Sequence, residues 1–281
     1  MNFWTLMMVL TAGVVVVEFA TGRLRTALTR QEWIVIPTCA LLNRLVFGVA
    51  AAMLIAWVLG HLMPAWHGAL KDAPLVPAAL AILLVMEVAF YWAHRWAHLG
   101  QKGEHLVWLW KIHRTHHSGP FMSALVTMRI NVWWGFIVPT PWILGAAIYL
   151  GQGKAGGIAL GVIYAWNLIT HAHFRWDDAI RRHRLFGPAF RALEHIVVSP
   201  GVHHSHHGYG KDGTTGRNFA VTFAWLDWMF GTLHIPEGRP RHYGLPGRQA
   251  HWAEEIFYPL VQIDRARAVR TPSAGEPVPA E

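Results

Sequence analysis

The sequence has few residues of the kinds that build disulfides, thiolate sites or a charged surface. Cys39 is the only cysteine among 281 residues, which excludes an intrachain disulfide and a cysteine-based metal site. Charged residues make up 14% of the chain and hydrophobic residues 53%, which is unusual for a soluble globular protein. No Glu-x-x-His sequence occurs, so the paired motif of the carboxylate-rich soluble helical bundles is absent. The composition therefore favours a membrane protein.

Long apolar runs take the place of charged segments. Five runs of roughly 20 residues are predicted to span a membrane. These runs are Phe3–Ala20 and residues 45–63, 75–93, 130–150 and 155–170. Residues 33–42 are apolar but few, and they form either an interfacial piece or an extension of the second run. Pro139 and Pro141 predict a kink in the fourth run.

The charges between the runs predict an orientation. Loops rich in Lys and Arg alternate with nearly neutral loops, as five crossings with a cytoplasmic C-terminus require. The net charge of +8 is attributed to these basic loops between apolar runs, so no nucleic-acid partner is expected. The first run carries Glu18 and lacks a basic leader and a small-residue cleavage site, so it is interpreted as a membrane helix and not as a signal peptide. We expect an integral protein of a bacterial-type inner membrane.

Histidine is abundant and regularly spaced. The chain has 19 histidines, and eight of them recur at spacings that share one face of a helix. They are His94 and His98 in an H-x3-H pair, His113, His116 and His117 in an H-x2-H-H set, and His203, His206 and His207 in a second such set. His204 points about 100° away from His203 on a helical turn and is left as a spare or supporting residue. Neutral nitrogen ligands suit Fe or Zn, and these eight are about enough for two ions with one open position each.

The fourth and fifth runs are separated by a short turn and are predicted to form a hairpin. The hairpin would return the chain to the side of the first two clusters, so the third cluster and His171 could join them. Asn167 precedes His171 on the same helix face and would ligate directly, ligate through water, or do neither. His173 faces away if the helix continues. Asp227 either orients a ring N–H from outside the ligand set or is a solvated or capping residue.

The order of these motifs resembles that of the fatty acid hydroxylase/sterol desaturase superfamily of membrane di-iron oxygenases. The resemblance covers residues 94–232, and a single histidine, His171, stands between the second and third clusters. Softer matches are Phe186-Gly187-Pro188, Ser199-Pro200, Asp227 and Trp228-Met229-Phe230-Gly231-Thr232. Two departures matter. Asn167 stands where members often have the first histidine of an H-x3-H, and His173 stands where many members have Asn.

The resemblance implies a four-helix transmembrane core and a cytosolic cap that holds two irons. By resemblance, the metal ligands are the eight aligned histidines together with His171. The implied co-substrate is O2, and zinc can replace iron in a purified sample. The implied reaction is hydroxylation or desaturation of a sterol, a fatty acyl chain or an ether or amino lipid. Nothing in the chain resembles a fused electron carrier, so the donor would be a separate cytochrome b5-like protein, ferredoxin or reductase.

We therefore predict an all-α fold, a polytopic membrane helical bundle with a cytosolic histidine-rich metal-binding cap. The predicted regions are N-terminal transmembrane helices in 1–74, the di-iron domain in 75–235, and a C-terminal segment in 236–281 whose residues 265–281 are disordered. Residues 176–196 are predicted to be an amphipathic helical stretch at the membrane surface. No catalytic residue beyond the ligands is predicted. The alternatives are a histidine-rich transporter of Zn or Fe, whose site would lie near the bilayer midplane, and a metal-binding membrane protein without transport.

Overall fold

The computed structural model describes residues 3–21, 24, 28–103, 105–247 and 249–263. Most of these residues are helical and very few are in strands, so the predicted all-α fold is confirmed. The helices are α1 (Phe3–Ala20), α2 (Glu32–Leu41), α3 (Gly48–Leu62), α4 (Leu75–Leu99), α5 (Val107–His117), α6 (Trp134–Ile137), α7 (Pro139–Tyr149), α8 (Gly153–His171), α9 (Trp176–Arg182), α10 (Gly187–Leu193), α11 (Pro200–His207), α12 (Trp225–Met229) and α13 (Trp252–Phe257). Short 3-10 turns cover Pro64–Trp66, Gly100–Lys102 and Ala124–Met128. Two strands, β1 (Gly208–Tyr209) and β2 (His242–Tyr243), pair antiparallel. The tail predicted at 265–281 lies outside the described residues.

Among the residues that the structure describes, two helices are long and apolar enough to cross a membrane, so the chain is an integral membrane protein by this measure. They are Glu32–Leu62 and Leu75–Lys102. A third span counts only if α8 and α9, which meet at a 74° bend, form one unit. The first predicted run is present as α1, whose Thr5–Ala20 part is a shorter apolar helix. The prediction of five spanning helices is therefore wrong in number.

The second span includes residues 33–42, which is one of the two alternatives that the sequence left open. Helices α2 and α3 join through a π-helical turn at Leu42–Phe47, so residues 33–42 extend the span instead of lying at the interface. Asn43 and Arg44 do not interrupt it, because the interior satisfies their polar groups. Asn43 Nδ2 donates to the carbonyls of Ile130 and Asn131, both at 2.9 Å, and Arg44 donates to the Tyr164 hydroxyl at 2.8 Å.

The fourth predicted span is broken and not merely kinked. Helix α6 has four residues, Val138 is extended with ψ 138°, and α7 begins at Pro139. The helical conformation is unfavourable for the residue that precedes a proline, whereas proline itself is well suited to the first position of a helix. The proline therefore ends one helix and starts the next.

The core of the bundle consists of α3, α4, α7 and α8, with α1 against α8. Gly145 lets α7 approach the backbone of α3 at Ala52, where a side chain would collide. Leu83, Met86 and Ala159 form an apolar cluster between α4 and α8. This packing brings the C-terminal end of α8 to α11, and α5 packs against the end of α4.

Two further predictions need correction. The third run was expected to end at residue 93, but α4 continues to Leu99 and carries His94 and His98 itself. Residues 176–196 do not form one amphipathic helix, since α9 and α10 are separate short helices. Arg181 is 6% exposed, because carboxylates of the interior pair with it.

Candidate metal centre

The structure gathers all nine predicted histidines into two groups, each able to hold a metal ion. Within each group, one ring nitrogen of every member lies within 4.8 Å of those of the others. The five-histidine cluster consists of His94, His98, His113, His117 and His206. The four-histidine cluster consists of His116, His171, His203 and His207. All nine side chains are buried, and His116, the most exposed, is 9% exposed.

Four helices supply these rings. Helix α4 gives two histidines to the five-histidine cluster, and α8 gives His171 to the four-histidine cluster. Helices α5 and α11 each serve both clusters. On α5, His113 and His117 share one face and His116 projects to the side. The spacing that revealed the motifs in the sequence is therefore also what divides them between two sites.

The distances between ring nitrogens fit a shared ion. In the five-histidine cluster, Nε2 of His94 lies 3.1 Å from that of His206, and Nε2 of His117 lies 3.1 Å from that of His98 and 3.0 Å from that of His113. In the four-histidine cluster, the successive Nε2 separations are 3.2 Å for His116 to His171, 3.0 Å for His171 to His203 and 3.1 Å for His203 to His207. Two metal–nitrogen bonds of about 2.1 Å that meet at about 90–100° separate their nitrogens by about 3.0–3.2 Å.

Main-chain carbonyls fix the orientation of four rings. The Nδ1 atoms of His94 and His206 lie 2.6 and 2.7 Å from the carbonyl oxygens of Phe219 and Arg217. The Nδ1 atoms of His171 and His116 make the same contact at 2.8 and 3.1 Å, with the carbonyl oxygens of Asn167 and Val126. Because a carbonyl can only accept, each Nδ1 must carry the proton and donate it. This leaves the Nε2 lone pair free to bind a metal.

Burial keeps the imidazoles neutral. Outside the membrane-spanning helices, desolvation lowers the pKa of the clustered rings well below its ordinary value, and the neighbouring rings lower it further. The rings concerned are His113, His116, His117, His203, His206 and His207. A neutral imidazole is the form that binds a metal, so both clusters are in a ligating state at neutral pH.

The two clusters touch each other. The rings of His117 and His207, one from each cluster, stack with centroids 4.4 Å apart and an interplanar angle of 17°. The centroids of His206 and His207 are 5.3 Å apart, and those of His116 and His117 are 5.5 Å apart. Two ions held here would therefore be neighbours in one centre.

Three of the residues considered as possible supports for the ligands, Asn167, His173 and His204, lie outside both clusters. The Asn167 main-chain carbonyl, and not its amide group, makes the recorded contact with His171. His173 donates its main-chain N–H to Glu18 at 2.6 Å, which ties α1 to the end of α8. His204 is buried, and its Nδ1 lies 3.3 Å from the Tyr243 hydroxyl.

Asp227 supports the site in a different way from the one predicted. Its carboxylate accepts from the main-chain N–H groups of Phe219 and Ala220, both at 2.8 Å, and from the Thr232 hydroxyl at 2.7 Å. It makes no recorded bond to a ring N–H within the described part of the chain. It holds the segment whose Phe219 carbonyl orients His94, so its influence on the ligand is indirect.

Sequence reasoning also missed the groups that hold the rings and the ligand helices. Main-chain carbonyls carry no side-chain signature, so Phe219, Arg217 and Val126 could not be found from residue types. Arg129 is fully buried beside α5. An arginine next to an apolar run was the only signal for it, and that signal is also typical of the positive-inside pattern.

We predict that Asp227→Asn weakens metal binding in the five-histidine cluster by about 10–100-fold, the effect typical of groups that orient ligands. An amide presents an N–H to one of the two main-chain N–H groups that the carboxylate accepts, so the Phe219 carbonyl should shift. Zinc titration of the metal-free protein measures this. Asp212→Asn, at a carboxylate outside this segment, is the control. Equal affinities in the two variants would show that Asp227 does not influence His94.

Fold and site together define a helical membrane protein with two adjacent all-histidine sites that could hold metal. The family model described as fatty acid hydroxylase matches residues 79–232, more than half of the chain and the whole of both clusters. The chain therefore belongs to the fatty acid hydroxylase family. Among curated proteins it is similar to "Methylsterol monooxygenase 2-1" of Arabidopsis thaliana, with 25% identity over 166 residues. That match covers 54% of this chain and 54% of the relative, so the chain spans about half of the relative's length. No solved structure matches the chain.

Proposed function

We propose that the protein is a membrane-bound di-iron oxygenase that uses O2 to hydroxylate or desaturate a lipid. The observation that carries the proposal is the pair of touching, buried, all-histidine clusters at one end of an apolar helix bundle. Membership of the fatty acid hydroxylase family supports the lipid class of substrate. The methylsterol monooxygenase relative makes a sterol one of the candidates within that class.

The nine clustered histidines would hold the two ions, five for one and four for the other. Bound iron would supply the activation of O2 that attack on an unactivated C–H bond requires. The chain itself holds the rings neutral, aims the Nε2 lone pairs inward through the carbonyl contacts, and keeps water out by burial. No side chain is needed as a general base in this scheme.

Aromatic side chains form an apolar wall beside the five-histidine cluster. The Trp134 ring lies 4.5 Å from the His113 ring between centroids, and the Phe90 ring lies 5.4 Å from the His94 ring. On another side, the centroid of Trp110 lies 5.1 Å from that of His98. Such a wall favours a hydrocarbon over a polar substrate, which supports a lipid chain or ring as the molecule oxidised.

Hydroxylation consumes O2, two electrons and two protons for each C–H bond converted to C–OH, and water is the second product. Those electrons must come from a reductant. We propose a separate electron-carrier protein as the donor. The segment between the two candidate spans carries only Lys71 and Asp72 as charged residues, whereas the segment that follows the second span and bears most of the clustered histidines carries Lys111, Arg114 and Arg129. This difference in positive charge supports a metal site on the cytoplasmic side.

Metal transport is the weaker reading. Transport sites lie near the bilayer midplane, commonly at broken helices that cross it. His94 and His98 lie instead near the C-terminal end of α4, and His171 is the last residue of α8. The clusters also include α5 and α11, neither of which is among the candidate spans. The placement therefore supports a site at one end of the bundle.

The test is product formation from isotopically labelled O2. Iron-loaded protein in lipid nanodiscs would be supplied with a chemical reductant and a mixture of sterols and acyl lipids, and lipid extracts would be analysed by mass spectrometry. We expect labelled oxygen in a hydroxylated lipid, or loss of two hydrogens in a desaturated one. The control is His116→Ala. Iron-loaded protein that yields no O2-dependent product above this control would contradict the proposal.

A further inference from the structure

Helices α5 and α11 hold the two metal sites together. Helix α5 carries His113 and His117 of the five-histidine cluster and His116 of the four-histidine cluster, and α11 is divided in the same way. Helices α4 and α8 each serve one cluster only. The positions of α5 and α11 therefore decide the geometry of both sites at once.

A buried ion network grips the C-terminal end of α5. Arg129 is 0% exposed, and its guanidinium donates to both carboxylate oxygens of Glu32, at 2.8 and 3.2 Å. The same guanidinium donates to the main-chain carbonyl of Thr115 and to the Ser118 hydroxyl, the latter at 2.5 Å. The Ser118 hydroxyl in turn lies 2.9 Å from each carboxylate oxygen of Glu255. The first spanning helix, α5 and α13 meet at these charges.

A second buried network grips the N-terminal end of α11. The Asp177 carboxylate accepts from the main-chain N–H of Gly201 at 2.7 Å. The Ser199 hydroxyl accepts from the main-chain N–H of Val202 at 3.3 Å and lies 2.5 Å from the Glu194 carboxylate. Arg181 pairs with Glu194 and, at 3.5 Å, with Asp177. Arg239 pairs with Asp177 and, at 3.1 Å, with Asp178.

A contribution to the stability of the fold does not by itself explain why these charged residues are buried here. Withdrawing charges from water costs free energy, so an apolar replacement of a whole buried ion pair is often neutral or stabilising. Both networks end on main-chain groups at helix ends and have the sign that each helix dipole favours. A cation lies at the carbonyl end of α5, and a carboxylate lies at the N–H end of α11. Ionic contacts of fixed direction at a helix end define where that helix lies.

We propose that the Arg129–Glu32–Glu255 network and the Asp177–Arg181–Glu194 network are positioning devices that hold α5 and α11 in register for both metal sites. The inference rests on the proposed function in so far as both clusters hold ions. It has a distinctive consequence. Loosening either network should lose or uncouple both ions, whereas removing His171, which belongs to one cluster, should lose one ion.

The decisive variant is the triple substitution Glu32→Gln/Arg129→Met/Glu255→Gln. It removes all three charges of the network together, so the protein should still fold, while α5 loses its contacts to the guanidinium. At α11, Asp177→Asn removes the carboxylate charge that faces the Gly201 N–H, while Arg181 and Arg239 keep Glu194 and Asp178 as partners. The matched control is Arg191→Gln, which breaks the Arg191–Glu237 pair whose side chains are 41% and 78% exposed. The full chain would be purified in detergent and loaded with iron.

The readouts are metal content per chain, Mössbauer spectra for magnetic coupling of the irons, and thermal unfolding of the metal-free protein. We expect both network variants to bind metal about 10–100-fold more weakly at both clusters, with loss of the coupled-pair signature and with a folded metal-free state. His171→Ala should keep about half of the metal. If the triple variant does not insert into the membrane, Thr115→Val/Ser118→Ala replaces it. This variant removes side-chain hydrogen bonds at the end of α5 without removing a charge, and the same three measurements apply to it.

Two results would overturn the inference, and they differ from failure of the proposed function. Folded network variants with the metal content and coupling of the Arg191→Gln control would show that the networks do not position the ligands. Loss of only one ion would contradict the shared role of α5 and α11. A wild-type protein that binds no metal would instead contradict the proposed function, and the inference would fail with it.

Discussion

Replacing His116 or His206 by alanine is expected to abolish lipid oxidation, with turnover reduced by at least about 100-fold. Loss of a group that merely orients a ligand already costs about 10–100-fold, and these substitutions remove proposed ligands themselves. His116 belongs to the four-histidine cluster and His206 to the five-histidine cluster, so one variant damages each site. Because the proposed chemistry needs both irons, either loss should stop it.

The measurement is product per chain at equal expression, with metal content determined on the same samples. His251→Ala is the matched control, because His251 is exposed and lies outside both clusters. Its Nδ1 accepts a hydrogen bond from the main-chain N–H of Ala253 at 3.2 Å. It should keep nearly full turnover. A His116→Ala enzyme with wild-type activity would refute the assignment of the site.

Replacing Arg129 alone by alanine is expected to have the largest effect on stability, about 3–5 kcal/mol. The substitution leaves Glu32 and Glu255, which are 0% and 1% exposed, without the cation that faces them. Arg129 lies 2.8 Å from the Glu32 carboxylate and 3.7 Å from that of Glu255. Burial already raises the pKa of Glu255, and the positive charge of Arg129 opposes that rise. Without Arg129, the buried Glu255 carboxyl must ionise unpaired or take up a proton.

Unfolding in a mixed-detergent titration would measure this loss. The comparison is Arg191→Ala, since exposed pairs contribute about 0–1 kcal/mol. The joint Glu32→Gln/Arg129→Met/Glu255→Gln variant should be less destabilised than Arg129→Ala, because it removes the three buried charges together. Similar stabilities for Arg129→Ala and Arg191→Ala would show that the buried network carries little free energy.

Helical periodicity explains why eight of the nine clustered histidines could be predicted. Residues three and four apart share a helix face, so His94 with His98 and His203 with His207 had to converge once their segments were helical. His171 has no histidine at helical spacing, so its prediction depended on the hairpin of α7 and α8 and on the family resemblance. How the nine divide between two clusters depends on how four helices pack, which spacing within each helix does not determine.

The span boundaries were harder to predict for physical reasons. Asn43 and Arg44 looked like the end of an apolar run, but partners distant in sequence satisfy their polar groups inside the bundle. Arg181 was expected on an amphipathic surface and is instead paired with buried carboxylates. The sequence shows only that a charged residue is present. The tertiary structure shows whether its charge is solvated by water or paired with an opposite charge.

The metal content of purified wild-type protein tests the central claim most directly. Protein from iron-supplemented cells would be analysed beside His98→Ala, which damages the five-histidine cluster, and His171→Ala, which damages the four-histidine cluster. We predict about two irons per chain in the wild type and about one in each variant, because each substitution removes a ligand of only one ion. One iron or none in the wild type, despite iron supply, would contradict a dinuclear centre held by the two histidine clusters.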